Sequence, residues 1–408
     1  MPARLQKKST PAPSGASLSS RVLFVGPAGC GKSEQLLQIF ENRLEAENPL
    51  NPESYFIVPS HEHAERVIKR LVIRGSAGFF SNRVTTLDAL IENSFEVPNP
   101  PAASNLTKIA LVRRILGNDC GAYFEKIRDK PGFLNLILNF LSELKDFCWV
   151  PEAFRREMNQ LKKREPDAAM KYESLADIYE RYESFLRELG LRDRRDTLTL
   201  YRSRLASKQT TGIKPLHFHT LCLDGFFDFT PVQMEAISEL AKASQSFAAG
   251  LTWDVARAAS FEPVTATKRM FENLGFEIKS VASALPRFQS PDLAHVSSHL
   301  FSDKEKSKDF EGAIDWFEAP DPEAEAEMIA RRILREFSEN QCRASDIAVL
   351  FRSVRPSKAV FESVFRRLEF LWKFTNVNDC RTVNGFKPQR GWYDFLRKAG
   401  KRKIGWGF

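Results

Sequence analysis

The sequence predicts an α/β fold in which a parallel sheet is interrupted by an all-helical insertion. Three observations support this prediction. Short apolar runs typical of strands alternate with helical patterns over residues 20–97, strand patterns are absent from residues 98–215, and the alternation returns over residues 216–280. Alternation of this kind favours a parallel sheet with helices on its faces, because parallel strands are joined by crossover connections that are usually helical.

Composition excludes several classes of protein. The chain has 408 residues, of which 43% are hydrophobic, so it can form a sizeable core and is not wholly disordered. No apolar run reaches the roughly 18 residues needed to span a membrane. The six cysteines form no CxxC pair, which argues against a disulfide framework or a cysteine zinc site and predicts a cytoplasmic location.

The net charge of +8 belongs to the C-terminal end of the chain. Residues 366–408 carry 11 Lys and Arg against 3 Asp and Glu, and the remaining 365 residues are neutral. Overall basicity is therefore weak evidence that the body of the protein binds nucleic acid.

The first predicted domain follows a short N-terminal lead. Residues 1–19 are rich in Pro, Ser and Ala, contain no apolar region typical of a secretory signal, and are predicted to be disordered. The strands predicted for the domain are bounded by turn residues or helical patterns and cover residues 22–25, 55–58, 83–86, 217–223 and 247–252.

The insertion, residues 98–215, has a different pattern from the sequence on either side. Its apolar residues recur at the i, i+3, i+4 and i+7 spacing of amphipathic helices. These helical stripes cover residues 109–115, 133–144 and 172–189.

Two further segments follow the first domain. Residues 281–312 are polar, contain Pro286 and Pro291, and are predicted to be a linker. Residues 313–370 are predicted to start another α/β domain, with a helix from about residue 323 to 337 between strands at 316–318 and 347–351.

A glycine-rich segment lies between the first predicted strand and the first predicted helix. Residues 26–33 fit the pattern G-x-x-x-x-G-K-[ST] of a phosphate-binding loop. In such a loop, backbone N–H groups surround the phosphates, the lysine reaches the β- and γ-phosphates, and the serine ligates Mg²⁺. The motif predicts a P-loop NTPase in which the nucleotide is held by Gly26, Pro27, Ala28, Gly29, Cys30, Gly31, Lys32 and Ser33.

A phosphate loop of this kind works with an acidic residue at the end of a neighbouring strand, which holds the metal. Asp224 ends the predicted strand at 217–223 and is the candidate, with an ordinary turn residue as the alternative. Many ATPases place a water-activating glutamate next, but here the next residue is Gly225. Asp228 is a possible substitute that lies away from the strand end. The sequence therefore predicts nucleotide binding and leaves hydrolysis open.

The order of the motifs matches that of a known family. The phosphate loop is followed by IVPS, RVTTLDALI, LCLDGFFDFTPVQ, GLTWD and DIAVLFRS. This order resembles that of superfamily 1 helicases of the UvrD/RecB type. The segment DGFxDFTPxQ, which starts at Asp224, resembles the AddB-type subunits of bacterial AddAB helicase–nucleases. UvrD-like motors have a segment closer to DExQDxxxxQ, and glycine in place of that glutamate is typical of the AddB branch.

The resemblance implies two RecA-like domains with ATP and Mg²⁺ between them. Residues 20–97 and 216–280 would form the first domain, and residues 313–370 the start of the second. Because the second domain contains DIAVLFR, which resembles helicase motif IV, its Arg352 would face the γ-phosphate.

The resemblance also assigns roles at the nucleotide and on DNA. Lys32, Asp224 and Arg352 would be the catalytic residues, and Ser33 and Asp224 would hold the metal. Single-stranded DNA would cross the top of both domains, and the residues implied in DNA contact are Ser60, Thr85, Thr86 and Trp253. Trp253 would stack on a base, with a core tryptophan that caps the sheet as the alternative.

The implied function is that of a subunit of an ATP-dependent DNA helicase–nuclease in double-strand-break repair and recombination. Its implied partners are single- and double-stranded DNA and an AddA-like second subunit, with no membrane. Two alternatives stay open. One is a non-enzymatic DNA-binding or scaffold module on an inactive motor fold, which Gly225 favours. The other is a P-loop kinase with a helical lid.

Residues 371–408 show no motif of this family. They carry nine Lys and Arg and three Trp, and they are expected to be either a frameshifted tail of an N-terminal fragment or a basic DNA-binding tail with stacking tryptophans. Relatives continue into a nuclease domain, and no nuclease residue can be assigned among these 408 residues.

Overall fold

The computed structural model places part of the chain, and it divides the chain into two compact units, Met1–Lys306 and Ser307–Phe408. The predicted lead at 1–19 and the predicted tail at 371–408 lie outside the described residues. The structure describes residues 21–48, 53–75, 81–95, 99–118, 122–206, 217–281, 290–302, 309, 312–339, 342–343 and 346–368.

A six-stranded parallel sheet forms the centre of the first unit, with the strand order β3-β2-β4-β5-β1-β6. The strands are β1 (Arg21–Gly26), β2 (Ser54–Val58), β3 (Val84–Thr86), β4 (Phe218–Leu223), β5 (Ser244–Thr252) and β6 (Glu277–Ser280). The predicted α/β class with a parallel sheet is confirmed.

The sheet is covered on both faces, as the residues of β1 show. Successive side chains of a strand point to opposite faces. Leu23 and Val25 accordingly pack in one apolar cluster, and Val22 and Phe24 pack in another. Strands buried on both faces read as continuous apolar runs, which is why β1 was recognisable in the sequence.

Six helices of the first unit surround the sheet or follow it. Phe40 of the first packs in the cluster with Val22, and Phe271 of the fifth packs in the cluster with Leu23, so the helices supply both faces. The six are α1 (Lys32–Ala46), α2 (His61–Ile73), α3 (Leu87–Glu92), α9 (Pro231–Ala243), α10 (Glu262–Asn273) and α11 (Pro291–His299). The last of these lies inside the segment predicted to be a linker.

The insertion between β3 and β4 is helical throughout its described residues, apart from one isolated bridge between Ala102 and Arg192. The three apolar stripes seen in the sequence form one core, which includes Val112, Ile137 and Tyr182. The helices are α4 (Asn105–Asn118), α5 (Pro131–Asp146), α6 (Pro151–Arg164), α7 (Ala169–Glu188) and α8 (Asp196–Ala206).

The second unit contains two helices, α12 (Pro322–Glu339) and α13 (Val354–Arg367), which pack through Ala330, Ile333 and Phe361. The strands predicted at 316–318 and 347–351 are wrong, since neither segment is a strand. Ile347, Val349 and Phe351 do pack on this cluster at every second position, which is the period that predicted a strand. The described part of this unit holds no neighbouring strand to complete the hydrogen bonding.

No helix in the described part of the chain is both long enough and apolar enough to cross a membrane.

Candidate phosphate-binding site

The predicted phosphate loop, residues 26–33, joins β1 to α1 at the carboxyl edge of the sheet. Gly31 is the N-cap of α1, with φ of +100°, and no side chain caps the helix. The first backbone N–H groups of α1 are therefore left without the partner that a capping side chain would provide. Ligands of open parallel sheets bind outside this edge, and an uncapped helix N-terminus favours an anion.

The loop folds back tightly on its own first residue. A Cβ atom at Gly26 would lie 2.7 Å from both Cys30 Sγ and the carbonyl oxygen of Val281. Both distances are shorter than real Cβ contacts, so only glycine fits at this position.

Lys32 directs its ammonium group into the loop and is almost fully buried, with 8% of its surface exposed. Its Nζ atom donates hydrogen bonds to the carbonyl oxygens of Gly26 at 2.9 Å and Pro27 at 2.7 Å. Cys30 Sγ lies 3.5 Å from the same atom. The loop thus holds a fixed positive charge beside the N-terminus of α1.

Asp224 follows β4 directly and is 6% exposed. Its backbone N–H donates to the carbonyl oxygen of Ile57 at 3.0 Å, which fixes it at the carboxyl edge. Strand β5 separates β4 from β1, and at this level β5 carries Gly250. A Cβ atom at Gly250 would lie 3.3 Å from Asp224 Oδ1 and 3.7 Å from Lys32 Cβ. The absence of a side chain at Gly250 therefore leaves Asp224 and Lys32 facing each other across β5.

These residues suit a magnesium–phosphate ligand. Mg²⁺ is commonly held by one or two carboxylates together with phosphate oxygens and water, and Asp224 and the half-buried Ser33 could supply its protein oxygen ligands. Among the described residues, no group of three or more His, Cys, Asp or Glu side chains could hold a metal ion by itself. A metal at this edge would therefore depend on the phosphates for part of its coordination.

The segment that starts at Asp224 combines site residues with packing residues. Phe226 and Phe229 stack at 5.0 Å between ring centroids and are buried in the core. Thr230 and Gln233 form a reciprocal capping box at the start of α9. Asp228 is exposed, and its Oδ1 accepts a hydrogen bond from the Phe229 N–H at 2.7 Å. Most of this segment therefore stabilises the fold, and Asp224 and Gly225 are left to face the site.

Three of the predicted DNA contacts lie at the same edge, since β2 and β3 are parallel neighbours. Ser60 is the N-cap of α2, and its Oγ accepts a hydrogen bond from the His63 N–H at 3.2 Å. Thr86 caps α3 in the same way through the Ala89 N–H at 3.3 Å. Thr85 and Thr86 are only 7% and 8% exposed, so Ser60 is the most accessible of the three.

Trp253, the fourth predicted DNA contact, lies beside the phosphate loop. Its backbone N–H donates to the Gly26 carbonyl oxygen at 3.1 Å. One face of its ring is covered by the Lys268 ammonium, 5.2 Å from the ring centroid. The ring nitrogen is buried and has no hydrogen-bond partner among the described residues. The structure thus places Trp253 two strands away from the strand that leads to Ser60.

Arg352 belongs to the second unit, where it is exposed in the segment before α13. Its predicted role opposite the γ-phosphate remains a prediction.

Two residues of the site were not predicted from the sequence. Gly250 carried a signal, because an isolated glycine inside an apolar strand often marks a close approach of other groups. His63 carried none, because its position next to Gly225 arises only in the folded chain. Burial lowers the pKa of His63, and the nearby Asp224 carboxylate opposes that shift.

Comparison with known proteins gives one consistent result. The family described as "ADDB, N-terminal" matches residues 23–296. The chain is 25% identical over 370 residues to the AddB-type ATP-dependent helicase/deoxyribonuclease subunit of Oceanobacillus iheyensis, covering 85% of this chain and 31% of that protein. The proteins of the same name from Acetivibrio thermocellus and Symbiobacterium thermophilum are 26% identical over 374 residues and 27% identical over 364 residues. These two alignments cover 85% and 81% of this chain, and 31% and 30% of the relatives, so the chain spans under a third of the length of these proteins.

Proposed function

The chain belongs to the ADDB N-terminal family, and on that premise we propose that it is the ATP- and DNA-binding N-terminal part of a helicase–nuclease subunit. The observation that carries the proposal is the buried Lys32 ammonium in the phosphate loop, next to the uncapped start of α1 and facing Asp224 across Gly250. That arrangement combines a fixed cation, free backbone donors and a carboxylate, which are the groups that a magnesium–nucleotide needs.

In this proposal the first unit is a RecA-like domain. Lys32 contacts the β- and γ-phosphates, and Ser33 and Asp224 hold Mg²⁺. The metal would neutralise charge on the transferred phosphoryl group. Arg352 would complete the site from a second RecA-like domain, of which residues 313–370 are the start.

The proposed substrate is DNA at a double-strand break in the bacterial cytoplasm, and the proposed partner is an AddA-like second subunit. Single-stranded DNA would pass the carboxyl edge near Ser60, Thr85 and Thr86, with Trp253 as a fourth contact. A role without hydrolysis, in which the nucleotide only modulates DNA binding, is the second candidate. Gly225 favours it, because this residue provides no carboxylate.

Titration with a fluorescent ATP analogue in the presence and absence of Mg²⁺ tests nucleotide binding. We expect saturable, magnesium-dependent binding to the wild-type chain. An affinity that is the same with and without Mg²⁺ would contradict the proposed role of Asp224 and Ser33.

Gly250→Ala should weaken magnesium–nucleotide binding about tenfold. The new methyl group would stand 3.3 Å from Asp224 Oδ1 and 3.0 Å from Leu36 Cδ1, and small-to-large changes in packed sites shift their neighbours. The control is Gly117→Ala in α4, where a Cβ would meet nothing within 4 Å. That variant should bind nucleotide like the wild type. Equal affinities for all three proteins would show that the space at Gly250 does not matter for binding.

Ser60→Ala should lower the affinity for a fluorescein-labelled oligothymidine several-fold, measured by anisotropy at fixed salt. Ser60 is also an N-cap, so its loss costs about 1 kcal/mol of helix stability. Ser290→Ala is matched in this respect, because Ser290 caps α11 through the Asp292 N–H. Weaker DNA binding by both variants would assign the effect to helix capping. An effect of ATP on wild-type DNA affinity favours the motor function, and no effect favours the scaffold function.

A further inference from the structure

We propose that His63 takes the place of the side chain that residue 225 lacks, and that its imidazole contacts the water that attacks the γ-phosphate. This inference rests on the proposed ATP-binding function. It adds a residue that the sequence did not single out, and it bears on whether the chain hydrolyses the nucleotide it binds.

The geometry around Gly225 carries the inference. Gly225 has φ of +83°. A Cβ atom on this residue would lie 2.9 Å from His63 Nδ1, closer still to His63 Cε1, and 3.3 Å from Pro59 Cδ. The imidazole therefore fills the space into which a side chain at position 225 would point. A glycine at 225 and a histidine at 63 are complementary, since a larger residue at 225 would displace the ring.

The fold holds the ring at this position through backbone contacts. His63 is the third residue of α2, and its N–H donates to the capping Ser60 Oγ at 3.2 Å. Strands β2 and β4 are parallel neighbours, with Ile57 paired to Leu223. The start of α2 therefore lies beside the end of β4, where Asp224 and Gly225 follow.

The chemistry of the ring suits the missing group. A neutral imidazole has one nitrogen that accepts a hydrogen bond, and histidine is the commonest general base in enzymes. Among the described residues, the side chain of His63 makes no hydrogen bond, so both ring nitrogens are available to water. Asp228, the substitute considered from the sequence, is exposed and already bonded to the Phe229 N–H.

The step balances as follows. The oxygen of the water molecule forms a bond to the γ-phosphorus, and the bond from that phosphorus to the bridging oxygen breaks. ADP leaves with the electron pair of that bond. One proton of the water passes to the accepting nitrogen of His63 and from there to solvent, which leaves inorganic phosphate and regenerates the neutral ring.

The test compares His63→Ala with the wild-type 408-residue chain in Mg²⁺–ATP, with phosphate release and nucleotide affinity measured separately. We expect phosphate release to fall by about 100-fold, the low end of the contribution of a general base, with nucleotide affinity changed by less than about twofold. Added imidazole should restore part of the rate in His63→Ala, because the vacated space next to Gly225 can admit the free ring. His61→Ala, an exposed histidine two residues earlier, is the matched control and should leave both quantities unchanged.

A second variant separates chemistry from folding. His63→Asn keeps a polar side chain of smaller size at the same position and should fold, bind nucleotide and release phosphate as slowly as His63→Ala, without rescue by imidazole. Rescue confined to His63→Ala supports the inference.

Several results would overturn it. One is unchanged phosphate release in His63→Ala. Another is a lost rate that imidazole does not restore, which would leave His63 with a structural role. A wild-type chain that binds ATP without releasing phosphate overturns this inference and leaves the proposed nucleotide binding intact. A wild-type chain that does not bind ATP overturns both.

Discussion

Lys32→Ala should weaken the binding of magnesium–ATP by about 10- to 100-fold. A hydrogen bond to a charged group contributes about 1.5–3 kcal/mol, and each 1.4 kcal/mol is a factor of about ten in affinity. Lys32 is the cation in the loop, and its ammonium lies within 3 Å of two loop carbonyl oxygens. Alanine leaves the backbone donors of the loop in place, so binding should weaken without being abolished. Titration with the fluorescent ATP analogue measures the change.

The control for Lys32→Ala removes a lysine without touching the loop. Lys242 is exposed and pairs only with Glu239, at 2.7 Å, in α9. An exposed pair of this kind contributes about 0–1 kcal/mol, so Lys242→Ala should bind nucleotide like the wild type. If Lys32→Ala also binds like the wild type, the phosphates lie elsewhere and the proposed site is wrong.

The proposed loss of affinity depends on the loop staying folded in the variant. The Lys32 ammonium now satisfies the carbonyl oxygens of Gly26 and Pro27, and removing it leaves them to water, which a half-exposed Pro27 can admit. Gly31 still carries the left-handed backbone at the start of α1. We therefore expect the thermal stability of Lys32→Ala to stay close to that of the wild type.

The sheet was predictable where its strands are buried on both faces. Residues such as Leu23 and Val22 form continuous apolar runs because each face packs on a different helix layer. Strand β6 escaped prediction because Glu277 and Lys279 give it a polar composition, and only its pairing with β1 makes it a strand. The segments at 316–318 and 347–351 show the opposite error, since their apolar alternation predicted strands but the described residues offer them no strand partner.

The candidate site divides along the same line. Residues 26–33 and Asp224 could be singled out because their chemistry is written in consecutive residues or at a strand end. Gly250 and His63 act through contacts between distant parts of the chain: one lies between Lys32 and Asp224, and the other fills the space next to Gly225. A sequence read without the fold gives no distance between such residues. The resemblance to AddB-type subunits is confirmed, while the roles of the individual residues remain predictions.

Lys145→Met should destabilise the helical insertion by about 3 kcal/mol. Lys145 is 4% exposed, and its Nζ lies 2.5 Å from Glu183 Oε1 and 2.6 Å from Asp196 Oδ1. Removing one member of a buried ion pair costs about 3–5 kcal/mol, because the other charge is left without compensation. The low end applies here, since the two carboxylate side chains keep 23% and 21% of their surface exposed. Methionine fills a similar volume, so the change removes the charge more than the packing.

Hydrogen exchange measured by mass spectrometry localises this effect. Peptides from α5, α7 and α8 should exchange about 100-fold faster in Lys145→Met, whereas peptides from β1 and β4 should change little. Lys162→Met is the matched control in the same insertion, because Lys162 pairs with Glu173 at 3.0 Å in a partly exposed position. Its loss should cost less than about 1 kcal/mol. Equal exchange in the two variants would mean that the buried cluster contributes no more than a surface pair.

The cost of Lys145→Met should also grow as the pH rises. Burial raises the pKa of Glu183 in the folded chain, and Lys145 holds that rise in check. Without the ammonium, the folded-state pKa of Glu183 rises further above its unfolded value of about 4.3. A carboxyl whose pKa is higher in the folded state takes up a proton on folding, so the free energy of unfolding falls as the pH rises from the unfolded to the folded pKa. At pH 4 Glu183 can be protonated in the variant and the buried charge is removed, whereas at pH 8 it stays ionised and unpaired. A difference in exchange between wild type and variant that is as large at pH 4 as at pH 8, after correction for the intrinsic exchange rate, would show that Glu183 is not the group left without compensation.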